Sequence, residues 1–255
     1  FVEEPPFGPG DTEMPGLARV LSRRGIRCSW GAPSQVRRTK SGFTLRGSRV
    51  DWLVRDLNLH ELPPPGSPGL RGFEELARLG RVLPGPGAEF DHKGMLELLT
   101  SRAFECLFPR SGVRLLRRCV PWTRVVYERR TDGPTGRTVD LLPFIEKNPG
   151  RWVLKPNRGC GGERVIMGAD SPGAWKTAWR DAQRRPGAWV VQERRDTVRL
   201  PMPVLGGGRI KEVNAYATVG VFCAGGLSGF YGRVNPRPVV NVARGGALAA
   251  VFIGR

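Results

Sequence analysis

The sequence predicts an α+β protein, and three observations carry the prediction. Arg151–Lys155 is an apolar strand that runs into a glycine loop and returns as a second strand at Arg164–Met167. Ser171-Pro172 then opens a helix reaching Arg185, because serine suits the cap and proline the first turn; a strand at Ala188–Glu193 follows. Beyond it, Val198–Ile253 is rich in strand residues and glycine. Its Val213–Gly232 stretch has no formal charge but holds Asn214, Tyr216, Thr218, Ser228 and five glycines. That is a Gly-kinked pair of strands and a poor membrane span.

From the N-terminus, residues 1–62 read as part of an α/β layer. A helix covers about Met14–Arg24, and Gly25 leads to a short strand at Ile26–Trp30. The Lys40-Ser41-Gly42 turn separates two strands, and Val50–Val54 reads as a buried strand. Pro63–Gly72 is a Pro/Gly-rich boundary, followed by a short helix at Phe73–Leu79 and a second loop at Pro84–Gly87. Residues 63–150 then form a helical and linking region. Lys93–Leu107 has helical spacing, with Met95, Leu98, Leu99, Ala103 and Phe104 on one face. Pro121 breaks the apolar runs of Arg114–Tyr127, and Asp140–Lys147 suits one or two helical turns. Residues 151–255 form the last region.

Composition excludes several classes. With 40% hydrophobic and 25% charged residues, the 255-residue chain is neither disordered nor of low complexity. The net charge of +18 points toward nucleic acid, yet the cations are scattered without a dense block or an aromatic ladder, which argues against that role. Only six of the 41 cationic residues are lysines, so a retained lysine asks for a reason. Five cysteines without a CxxC pair, and two histidines, argue against a disulfide framework or structural zinc. They suit reduced thiols in the cytoplasm. The lack of an initiator Met and the ending at Phe252-Ile253-Gly254-Arg255 suggest a fragment of a longer chain.

One segment carries chemistry. In Trp152-Val153-Leu154-Lys155-Pro156-Asn157-Arg158-Gly159-Cys160-Gly161-Gly162, a strand ends in lysine beside three glycines. Glycines let backbone N–H groups approach an anion closely, and Lys155 adds a fixed charge. No GK[ST] follows and the loop feeds a strand, so neither a Walker loop nor a dinucleotide fingerprint is present. The segment suits a nucleotide's phosphates, or else an ordinary glycine hairpin. Cys160, among these glycines, is expected to be a reactive thiol.

Lys93 at a helix start, the strand-Lys155 loop, Trp189-Val190-Val191-Gln192-Glu193, and Val239-Val240-Asn241 before Gly245-Gly246 occur in an order that resembles the ATP-grasp superfamily. With Val50–Leu57, Val120–Arg124 and Leu154–Asn157, the chain is similar to the circularly permuted, glutathionylspermidine-synthase-like branch over about residues 45–250. The resemblance implies two α+β subdomains enclosing ATP. It implies an ATP-dependent ligase that joins a small carboxylate or peptide to an amine, or to a thiol, through an acyl phosphate. Lys93 and Lys155 would bind phosphates, Gly159, Gly161 and Gly162 would form the lid, and Gln192 and Glu193 would face the adenine. Mg²⁺ would need carboxylate and Asn ligands: Glu212-Val213-Asn214 has the spacing, though it also reads as a strand start, and Asn241 is the alternative. Arg124 or Arg233 would clamp the substrate carboxylate. Pro63–Gly72, Thr131–Arg137 and Leu205–Arg209 would be acceptor loops. A non-catalytic nucleotide- or peptide-binding module and an Arg-rich nucleic-acid binder remain the alternatives.

Overall fold

The structure, a computed structural model, describes residues 1–2, 13–57, 59, 62–85, 92–159, 161–224 and 226–252. It is a mixed α+β protein with two compact units, Phe1–Glu89 and Phe90–Arg255. The chain thus divides at residue 89, where the sequence suggests boundaries at 62 and 150. Among the described residues, no helix is long and apolar enough to cross a membrane.

The first unit begins with α1 (Glu13–Arg23). A three-stranded antiparallel meander follows, made of β1 (Val36–Thr39), β2 (Gly42–Leu45) and β3 (Ser48–Val50). Arg46 and Gly47 both take positive φ in the two-residue turn between β2 and β3, the geometry that matches strand twist. Then come β4 (Leu53–Val54), α2 (Arg71–Arg78) and β5 (Val82–Leu83), with β4 and β5 parallel. Two expected strands differ. Ile26–Trp30 has no regular structure, and Val50–Val54 splits between β3 and β4. Val50 and Leu53 are both buried but lie three residues apart, which one strand of period two cannot satisfy, so the chain breaks at Asp51-Trp52. Val36, Phe43, Leu45, Leu53, Phe73, Leu76 and Val82 form this unit's core.

The second unit opens with α3 (Met95–Thr100) and a 3₁₀ segment at Arg102–Leu107. The single helix expected over Lys93–Leu107 is therefore interrupted. Ser101 is extended (φ −95°, ψ 137°), and its side chain accepts from the Ala103 N–H. α4 (Arg110–Cys119) and β6 (Thr123–Val125) follow, then a hairpin of β7 (Arg130–Asp132) and β8 (Thr138–Asp140) for which the sequence offers no clear periodicity. After α5 (Leu141–Glu146) come β9 (Trp152–Pro156), β10 (Ile166–Met167), α6 (Pro172–Arg184) and β11 (Trp189–Glu193). Ser171 stands at the N-cap of α6 and Pro172 in its first turn, as read from the sequence. The four strands pair antiparallel in the order β10-β9-β11-β6. A second antiparallel sheet takes β12 (Arg199–Gly206), β13 (Arg209–Ala224), β14 (Leu227–Asn235) and β15 (Ala247–Ala249) in chain order.

Alternation gives the first of these sheets two different faces. Trp152 and Leu154 of β9, with Trp189 and Val191 of β11, join Leu141, Ile145, Trp175 and Trp179 of the helices in the core. The intervening residues, Val153, Lys155, Val190 and Gln192, point to the opposite face. That opposite face carries the site.

Candidate functional site

A cleft of about 460 Å³ is lined by Lys93, Val153, Lys155, Val165, Met167 and Gln192, together with Glu193–Thr197, Tyr216 and Val239. Its size falls in the range of small-molecule sites. The register explains the occupants. Met167 lies opposite Val153, and Gln192 opposite both Val153 and Thr123, so all project from the face away from the helices.

Lys155 reaches the cleft from the penultimate residue of β9. Its Nζ donates to Gln192 Oε1 at 2.6 Å, and Gln192 Nε2 donates to Thr123 Oγ1 at 2.8 Å. The Thr123 hydroxyl in turn donates to the Pro121 carbonyl at 2.9 Å. Gln192 and Thr123 are both buried, so this chain fixes the Lys155 ammonium from behind. Burial lowers the Lys155 pKa from its ordinary value, and the nearby Lys93 charge lowers it further.

Asn157 brings the second lysine to the first. It is buried at the end of β9, and its Oδ1 accepts from the Gly94 N–H at 2.7 Å while its Nδ2 donates to the Gly187 carbonyl at 2.7 Å. The Lys93 N–H also bonds the Asn157 carbonyl at 2.9 Å. The start of α3 is thereby stitched to β9, which sets Lys93 beside Lys155. Lys93 Nζ donates to the Gly159 carbonyl at 2.7 Å. The sequence places Asn157 within the motif but offers no signal for this tie, since the two partners are backbone groups distant in the chain.

The glycine loop needs its glycines. Gly159, Gly161 and Gly162 have φ of 118°, 64° and 74°. A Cβ at Gly162 would lie 2.7 Å from Val239 Cγ1 and 3.8 Å from Asn241 Cβ, so the loop rests on the segment before β15. Glu163 and Arg244 face each other across the same contact at 3.9 Å. Cys160 lies outside the described residues.

The remaining expectations divide. Lys93, Lys155, Gln192 and Glu193 converge on the cleft, with the glycine loop next to them. The side chains of Gln192 and Glu193 are committed within the protein, Gln192 as above and Glu193 to Arg195 at 3.0 Å and Arg151 at 3.5 Å. Arg124 is a correction. Lying opposite Val191, it points to the helix-covered face, is fully buried and stacks on Trp122. Its donors go to Thr100, Thr123, Thr131 and Asp132, the last at 2.7 Å. It holds the β7–β8 hairpin to β6 and has no donor left for a substrate.

Arg233 is placed differently. It shares the Tyr216 face of the second sheet, packs over the Tyr231 ring at 5.1 Å, and keeps a buried Nε without a hydrogen bond. The predicted metal ligands are not gathered. Glu212 and Asn214 are exposed on β13 outside the cleft lining, and Asn241 lies by the glycine loop. Among the described residues no three of His, Cys, Asp and Glu cluster to hold a metal ion. The predicted Mg²⁺ ligands therefore do not come together among the described residues.

No protein-family model matches the chain, and no curated protein matches it.

Proposed function

We propose that the cleft binds ATP in an ATP-grasp-like arrangement, and that the chain is an ATP-dependent carboxylate–amine or carboxylate–thiol ligase or the nucleotide-binding part of one. The observation that carries the reading is the convergence of Lys93 and Lys155, two of only six lysines in the chain, beside a positive-φ glycine loop. Two ammonium groups brought together at partly buried positions repel, and an anion between them removes the penalty. Val153, Val165, Met167 and Val239 give the same cleft apolar walls suited to a base.

When bound, ATP supplies the phosphoryl group that activates a carboxylate for attack by an amine or a thiol. The chain's own residues have simpler tasks. Lys155, held by Gln192, and Lys93 offset negative charge on the phosphates, with most effect where water is excluded. The glycine loop covers that end of the cleft and keeps water from it. ADP release is the test, measured with a panel of amino acids, polyamines and small acids in the presence of Mg²⁺. Release that depends on both an acid and an amine or thiol is expected. Nucleotide binding without release under every pairing would replace the ligase with a non-catalytic binding module.

A further inference from the structure

A second concavity of about 200 Å³ lies in the same unit, between the 3₁₀ segment at Arg102–Leu107, α4, the β7–β8 turn and the end of β11. We propose that it binds the carboxylate of a small organic acid, with Arg102 as the anchor. Three arginines, Arg102, Arg117 and Arg195, and three acids, Glu105, Asp132 and Glu193, line it. Each acid already has a cation. Glu105 pairs with Arg117, Glu193 with Arg195 at 3.0 Å, and Asp132 with the buried Arg124 beneath the pocket at 2.7 Å. The guanidinium of Arg102 takes part in no hydrogen bond or ion pair with the described residues. Of the three arginines that line the pocket, Arg102 alone has no acidic partner for its guanidinium among the described residues, and its planar fork suits the two oxygens of a carboxylate.

The turn is shaped around that guanidinium. A Cβ on Gly136 would stand 2.2 Å from Arg102 Nη2 and 2.5 Å from its Cζ, and Gly136 has φ of +83°. The positive φ favours glycine, and the missing Cβ leaves room for the guanidinium to lie against the turn with its fork available to a planar, two-oxygen partner. Thr131–Arg137, one of three loops that the family resemblance implies as acceptor loops, supplies this wall. Glu193 and Arg195 line both this pocket and the cleft, so an acid anchored at Arg102 extends toward the nucleotide. That link rests on the nucleotide reading, but the carboxylate site does not.

Saturation-transfer NMR with N-acetylglycine on the whole chain tests the proposal, with inorganic phosphate titrated in parallel. Binding of N-acetylglycine is expected to weaken by about tenfold or more in Arg102→Gln, since the pair is charge-assisted. Gly136→Ala, which displaces the guanidinium, is expected to weaken it as well. Arg130→Gln, an exposed residue outside the pocket, should leave it unchanged. Binding retained in Lys155→Met separates this site from the cleft, so failure of the nucleotide reading leaves the result intact. Equal affinity in Arg102→Gln and the parent, or tighter binding of phosphate than of N-acetylglycine, overturns the proposal.

Discussion

The Lys155 amine lies below its ordinary value of 10.5 because burial disfavours its charge and Lys93 repels it. The consequence for stability has a definite sign. Between the lowered native value and 10.5, the unfolded chain binds more protons than the folded one, so stability rises with pH across that window. Below the window the full penalty applies. Lys155→Met removes the titration, so its stability relative to the parent is expected to fall as pH rises from neutral toward 10, read by urea unfolding at each pH. Asn157 bears on the same site through geometry. Asn157→Ala strands the Gly94 N–H and the Gly187 carbonyl, and is expected to cost about 2–4 kcal/mol in urea unfolding while weakening nucleotide binding through displacement of Lys93. A variant that loses stability yet binds nucleotide as well as the parent would separate Asn157 from the site.

At the scale of elements, the glycine loop is limited by its backbone and its neighbour together. Gly162→Ala places a Cβ against Val239 at positive φ, and is expected to cost about 1–2 kcal/mol in backbone strain and to lower nucleotide affinity. Unchanged affinity would show that the loop does not cover the ligand. The β9–loop–β10–α6–β11 run is legible in the sequence because each piece carries its own local signal: apolar alternation, glycines at positive φ, and Ser-Pro at a helix start. The break at Ser101 is not, since the residues on either side keep a helical apolar spacing and the interruption is set by Asp132, whose Oδ1 accepts from Ser101 Oγ at 3.1 Å. The β7–β8 hairpin is illegible for a similar reason. It is pinned by Arg124 and by Trp122, whose Nε1 donates to the Asp132 carbonyl at 2.9 Å, and these are tertiary contacts. The fate of Arg124 turned on register alone, for a shift of one residue along β6 exchanges the cleft for the core.

Across the whole molecule, the arginine excess is spread over structural tasks. Arg38 packs on Phe43, Arg46 on Trp30, Arg151 on Trp152 and Arg164 on Trp189, with guanidinium-to-ring distances of 4.7 to 5.2 Å. Stacking of this kind leaves each guanidinium charged, and at +18 the chain attracts polyanions without regard to site. Affinity for ATP alone therefore does not identify a site, whereas its dependence on one lysine does. The deciding measurement is a calorimetric titration of ATP into the parent and into Lys155→Met, at physiological salt and with folding verified by circular dichroism. Removing one positive charge barely alters the net charge, so non-specific attraction predicts nearly equal affinities. The cleft predicts a loss of about tenfold or more, the worth of a charge-assisted contact with phosphate. Equal affinity in the two proteins would contradict the assignment of the cleft.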